Sequence, residues 1–255
     1  MLSQRYTNVK KGSDAYGAYY SITNEDPCLV STLMGHIAPR SAISVLGGGE
    51  QALFGMVSLG IETTGIDVEY GSIAASMMKG MLVERYGSAV KTLIRLGSEY
   101  FWDTVEREIV PVMPQKLGNN LRWVVENGVQ WQFYDLERQW SAIPDELLEE
   151  TQANMDKFSI VCSDITSVGG RYDAVYLSNI LAWLRDDEKE AKILANIEKI
   201  LEPGGHLIIT SIRDGISKKN FNLLRTDNSR KDSAIQWLYH TYKFEPSRQD
   251  HILCI

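Results

Sequence analysis

The stretch ISVLGGGEQALFG, residues 43 to 55, places Gly47, Gly48 and Gly49 between an apolar run and the pair Glu50 and Gln51. Glycines at the end of a strand let a ligand approach backbone that no Cβ shields. A strand, a glycine turn and a helix at the start of an α/β domain form a nucleotide-sized crevice. The spacing is not the G-x-G-x-x-G of dinucleotide sites, and no Gly-Lys-Ser/Thr follows to hold a phosphate. Asp67, with Val68 beside it, ends the next strand-like run, TTGIDVE. A carboxylate at such a tip accepts two hydrogen bonds from ribose hydroxyls. A second acid, Asp164, followed by Ile165, closes FSIVCSDI, and Ser178 and Asn179 close YDAVYLSN just after Tyr176.

Other chemistries find little support. Cys28, Cys162 and Cys254 are far apart and in no Cys-x-x-Cys spacing, and Cys162 and Cys254 sit in apolar runs as small hydrophobes. His36, His206, His240 and His251 form no metal-binding pair, so no metal is expected. The formal charge is −7, and Lys and Arg are scattered rather than gathered on one face, which argues against a nucleic-acid partner. The densest basic stretch, ISKKNFNLLRTDNSRK, also carries asparagines and an aspartate and reads as a solvated loop. No N-terminal apolar core of a signal peptide and no run of about 18 apolar residues is present. A cytoplasmic protein with a small-molecule substrate and no membrane insertion is expected; the sequence leaves the oligomeric state open.

These residues need a scaffold, and the alternation of patterns supplies one. AISVLG, TTGIDVE, FSIVCSD, YDAVYLSN and HLIITSI are short β-branched-rich runs, while EQALFGMVSLG, YGSIAASMMKGMLVERYG and DEKEAKILANIEKI have helical spacing. Such alternation predicts an α/β fold with a doubly wound parallel sheet. Residues 237 to 255 are expected to add two last strands, the final one antiparallel. One domain spanning 1–255 is expected, with an N-terminal cap segment, 1–38, rich in tyrosines (Tyr6, Tyr16, Tyr19, Tyr20), and a helical insertion, 88–157. The insertion is too long for an ordinary connection and holds Trp102, Trp123, Trp131 and Trp140. These tryptophans either pack the insertion onto the sheet or wall a pocket.

In order, the glycine turn, Asp67, Asp164, YDAVYLSNILAWL and LEPGGHLIITS resemble the class I S-adenosylmethionine (SAM) methyltransferase fold, a Rossmann-like sheet, over roughly residues 40 to 215. The resemblance implies SAM as the group-donating substrate. It places Gly47, Gly48 and Gly49 under SAM with Glu50 and Gln51 also at the cofactor, Asp67 with Val68 at its ribose, Asp164 and Ile165 around adenine, and Ser178 with Asn179 at the methionine portion. One departure stands out. Where that family usually carries an acid two residues before the glycines, this chain has Val45, and the acid comes afterwards, as Glu50 followed by Gln51. In this, and in GIDVEYGSIAASMMKGML with the helical insertion, the chain resembles the 3-amino-3-carboxypropyl transferases of betaine-lipid synthesis and their relatives. Those enzymes cleave the amino-acid side of the sulfonium and release methylthioadenosine.

A sulfonium offers three carbons to a nucleophile, and the carbon held in line at about 3 to 3.5 Å is the one that reacts. The resemblance therefore implies aminocarboxypropyl transfer to a small acceptor, or ring closure by the α-amine of SAM to azetidine-2-carboxylate. Methyl transfer to a small molecule is the alternative, and a non-catalytic SAM-binding protein is the alternative of another class. Tyr176 is either an aromatic face for the sulfonium or a core strand aromatic. Asn179 can donate to a carboxylate and accept from an amine.

Overall fold

The computed structural model describes residues 2–8, 26–178, 180–183, 187–211, 221–228 and 238–245. They fall into two compact units, Met1–Ile165 and Thr166–Ile255. In the first, β1 (Tyr6–Asn8) is followed by α1 (Pro27–Ile37), β2 (Ser41–Val45), α2 (Glu50–Gly55), β3 (Glu62–Asp67) and α3 (Tyr70–Tyr86). Then come α4 (Val90–Arg95), α5 (Ser98–Thr104), α6 (Gln115–Ala142), α7 (Asp145–Ala153) and β4 (Phe158–Cys162). The strands lie in the order β1-β4-β3-β2, every neighbour parallel.

Local chemistry sets several of these boundaries. Asp26 caps α1 by accepting from the amides of Cys28 and Leu29, at 3.0 and 3.3 Å, and Pro27 starts the helix where its missing N–H costs nothing. A surface helix keeps one polar face, but α3 is buried without a break from Tyr70 to Val83. Its outer side is covered by the insertion, since α6 and α7 both pack on it. Met77, Met78, Met81 and Leu82 of α3 share one core with Leu117, Leu121, Leu136 and Leu148 of those helices. Trp140 at the end of α6 meets Phe54 of α2 edge to face, ring centroids 5.4 Å apart. That contact joins the insertion to the helix that follows the glycines.

The second unit holds β5 (Tyr172–Tyr176), α8 (Ile180–Trp183), α9 (Asp187–Ile200), β6 (Leu201–Ser211), β7 (Phe221–Asn228) and β8 (Leu238–Phe244). Its strand order is β5-β6-β8-β7, with β5 and β6 parallel and β8 antiparallel to both its neighbours. Helix α9 opens on Asp187, Glu188 and Glu190, which suit its positive end, and buries Ile193, Leu194, Ile197 and Ile200 along one stripe. The fold is α/β and Rossmann-like.

Three elements depart from the sequence expectation. Tyr6–Asn8 forms an edge strand beside β4, and Leu2 is buried at Gly80 of α3. Three residues are too few to show a strand period. Strand β7 arises within the basic stretch expected to be a solvated loop; of residues 237 to 255, Leu238–Phe244 form the expected strand β8, and the expected final strand lies outside the described residues. Among the described residues β7 pairs on one edge only, and Asn222, Leu223, Leu224 and Thr226 are exposed, so no alternation of buried and exposed residues marks it as a strand. Strand β6 also starts earlier than HLIITSI and runs through Pro203, Gly204 and Gly205, where its register with β5 shifts between Tyr172 and Ala174. Tyr16, Tyr19 and Tyr20 lie outside the described residues.

Trp140→Ala removes the largest fully buried side chain among the described residues of the insertion. It is expected to cost about 3–5 kcal/mol of stability in denaturant unfolding, the range for a buried aromatic truncated to alanine. A loss well under 1 kcal/mol would show that the insertion is not anchored there.

Candidate functional site

The first unit brings three strand ends together at their C-terminal side. The amide of Leu46, just past β2, donates to the carbonyl of Ile66 in β3 at 2.9 Å. The amide of Ser163, just past β4, donates to the carbonyl of Asp67 at 3.0 Å. Gly47 to Gly49, Asp67 with Val68, and Asp164 with Ile165 therefore leave adjacent parallel strands on the same side, the edge at which open α/β sheets bind ligands.

The three glycines do different things. Gly47 and Gly49 both take left-handed backbone, φ +49° and +89°, which costs a residue with a side chain about 1–2 kcal/mol. A Cβ on Gly49 would stand 2.5 Å from the Ser76 hydroxyl of α3, so this glycine lets helix and turn close on each other. At Gly47 a Cβ would meet nothing nearer than the Gln51 side-chain nitrogen at 3.8 Å, which leaves backbone open to approach. Gly48 contributes its carbonyl, which accepts from Lys79 Nζ of α3 at 2.8 Å.

Glu50 and Gln51 both point inward. The Glu50 carboxylate is fully buried and ion-paired with Lys79, itself buried within the otherwise uncharged middle of α3. Burial pushes the Lys79 ammonium below the usual lysine range, against the opposing pull of Glu50. Gln51 reaches back along β2, its amide nitrogen donating to the carbonyls of Val45 and Leu46 at 3.1 and 2.5 Å. Its Oε1 is buried with no partner among the described residues, an acceptor left over at the end of β2.

Asp67 is perturbed in the opposite direction from Lys79. Burial pushes its carboxyl up from 3.8 to about 6. Hydrogen bonds from the backbone of Glu69, Val68 and Gly47 pull the other way, and the charge of Glu69 adds to the rise. Beside it Val68 is 39% exposed, an apolar side chain facing out of a strand tip. Three residues on, the buried ring of Tyr70 has the Lys116 ammonium of α6 at 3.9 Å from its centroid, so the insertion reaches this corner too. Asp164 is partly exposed and Ile165 buried.

In the second unit, Tyr176 is completely buried in β5, and its hydroxyl pairs with Thr210 Oγ1 at 2.9 Å, the placement of a core aromatic. Ser178 has a positive φ of 55° and gives its carbonyl to the Thr210 amide at 3.0 Å. Asn179 lies outside the described residues. Among the described residues no three His, Cys, Asp or Glu side chains are placed to hold a metal, and no helix is long and apolar enough to cross a membrane. Gly47, Asp67 and Asp164 thus stand at three adjacent strand ends, with Val68 exposed beside Asp67 and Ile165 buried.

Lys79 and Lys116 went unread in the sequence. The one signal for Lys79 was a lone charge in SIAASMMKGMLV, a run with no polar face for it to join.

No protein-family model and no curated protein matches the chain. Solved structures do resemble it. The N-methyltransferase NodS from Bradyrhizobium japonicum WM9 is 14% identical, with 84% of this chain and 94% of that one covered, at a TM-score of 0.41. The glycopeptide N-methyltransferase MtfA is 12% identical over 86% of this chain and 70% of that one, at 0.40. The magnesium protoporphyrin IX methyltransferase ChlM from Synechocystis PCC 6803 is 10% identical over 85% and 78%, at 0.40. These are likenesses of fold.

The Asp67 environment generates a pH prediction. A carboxyl whose folded pKa lies above its unfolded value binds protons more tightly when folded, so its ionisation lowers stability as pH rises from about 4 to about 6. Asp67→Asn should abolish that slope and make the protein more stable at pH 7. The same change should weaken a ribose ligand by about 1.5–3 kcal/mol for each charge-assisted hydrogen bond lost. Wild-type affinity should fall below pH 6, and the variant's should not. Parallel titrations of melting temperature and of adenosine-ligand affinity check both signs, and coincident curves for the two proteins would refute the assignment.

Proposed function

We propose that the chain is an enzyme that binds SAM across the ends of β2, β3 and β4 and transfers one of its carbon groups to a small molecule. The observation that carries this reading is the convergence of the glycine turn, Asp67 and Asp164 on three adjacent parallel strand ends. In this reading the backbone at Gly47 passes under the methionine arm, Asp67 accepts from the ribose hydroxyls, and Val68, Asp164 and Ile165 flank the adenine. Bound SAM supplies an activated carbon with a neutral thioether leaving group. The protein's part is then to hold donor and acceptor in line and keep water out. No acid or metal is needed to expel the leaving group.

Methyl transfer is the first reading of the reaction, as the commonest chemistry on this fold. A second reading, displacement at the Cγ of the aminocarboxypropyl group with release of methylthioadenosine, is favoured by one specific observation. The turn offers the methionine ammonium no outward carboxylate: Val45 stands at the end of β2, and Glu50 is turned inward to Lys79. An arm without that tether is free to present a different carbon, to an external nucleophile or to its own α-amine.

Incubation of the purified protein with SAM, with and without candidate amine acceptors, followed by mass spectrometry, decides between them. Methyl transfer is expected to yield S-adenosylhomocysteine and a methylated acceptor. Methylthioadenosine in its place would establish cleavage at Cγ, and if it forms without any acceptor, ring closure. A calorimetric titration showing no SAM binding would overturn both.

A further inference from the structure

The Glu50–Lys79 pair sits where a pair of apolar side chains would fill the space as well. An ion buried away from water carries a large desolvation penalty, and well-packed hydrophobic residues often replace such a pair at no loss of stability. Filling the core is therefore not a sufficient reason for Lys79 to be there. What a Met or Leu at this position cannot do is donate a hydrogen bond to the carbonyl of Gly48.

That bond has a geometric consequence. The Gly48–Gly49 peptide is held at both of its polar ends, its carbonyl by Lys79 Nζ at 2.8 Å and its N–H by the carbonyl of Leu46 at 2.7 Å. A peptide plane fixed at both ends cannot rotate, and the three-glycine segment is the part of the chain with the most backbone freedom to lose. One helical turn before Lys79, Ser76 of α3 closes against Gly49, so two residues on one face of α3 clamp the same turn. The N-terminus of α3 follows directly on Asp67, Val68 and Glu69. The helix thereby ties the glycine turn to the ribose carboxylate as one rigid piece.

We propose that Lys79, held in its buried position by Glu50, is the positioning residue of the cofactor site, fixing the Gly48–Gly49 peptide so that the turn meets SAM in a single preformed conformation. This rests on the reading of the turn as the SAM site. A preformed turn pays no ordering cost when the ligand arrives, and a turn released from Lys79 must pay it on every binding event.

Two measurements test it. In the first, Glu50→Gln and Lys79→Met are combined, removing both charges while keeping side-chain volume. The double variant is expected to keep a melting temperature within a few degrees of wild type and to bind SAM at least tenfold more weakly. Wild-type SAM affinity in the folded double variant would overturn the proposal. The second uses the unaltered chain without ligand. The Gly49 amide is expected to exchange with solvent as slowly as the amides of β2, and exchange at the rate of an open loop would overturn the proposal even if the double variant does not fold. If the wild-type chain binds no SAM, the cofactor reading fails, and the Gly49 exchange rate then decides the positioning role alone.

Discussion

A lysine and a glutamate excluded from water beneath a glycine turn set the terms for the architecture around them. Buried as it is, the pair requires that both charges find partners, since an unpartnered buried ion is among the costliest defects a core can carry. Helix α3 must then be covered on every side at the level of Lys79. The sheet and α2 cover one side, and the insertion covers the other with Leu117, Leu121, Leu136 and Leu148. The insertion is thus an integral part of the first unit's core, and its contact with Phe54 through Trp140 brings it back to the helix that leaves the turn.

Asp67 shows the opposite use of burial. At Lys79 the protein surrounds a charge and satisfies it; at Asp67 it surrounds a carboxylate and leaves it underserved, with three backbone donors that do not offset the loss of water. A group held so, at some expense of stability, is more responsive to a ligand that brings its own donors. Stability given up at one residue for binding is a familiar exchange in proteins that sit not far above their folding threshold.

Much of this was legible in the sequence, and what was not has physical reasons. The order of strands and helices from Ser41 to Ser211 followed from alternating apolar periods and from glycines placed after helices, because burial of one face imposes those periods. The strand-end positions of Asp67 and Asp164 followed with them. The direction of Glu50 did not, because an acid after a glycine turn reads as solvent- or ligand-facing until its partner is known. That partner lies 29 residues away in sequence, and no local pattern connects them. Tyr176 is similar: a strand of this composition leaves open which way the tyrosine points, and only Thr210 across the sheet shows that its hydroxyl is satisfied inside. Strands β1 and β7 escaped for a different reason. Edge strands bury so little that their composition stays close to that of loops.

Among the described residues, strand β7 also has a flank that no other strand pairs with. Its partner β8 is fully engaged, but β7 is the last strand of its unit's order, and Leu223 and Leu224 are 54% and 52% exposed on it. A straight edge with two leucines would invite a second chain to add itself as another strand. The pairing with β8, however, skips a residue between Leu223 and Arg225, a bulge that kinks the strand and advances its ladder by one position. A chain docking alongside would match the register on one side of the kink and lose it on the other. A bulge of this kind makes a strand edge a poorer template for edge-to-edge pairing than a straight one.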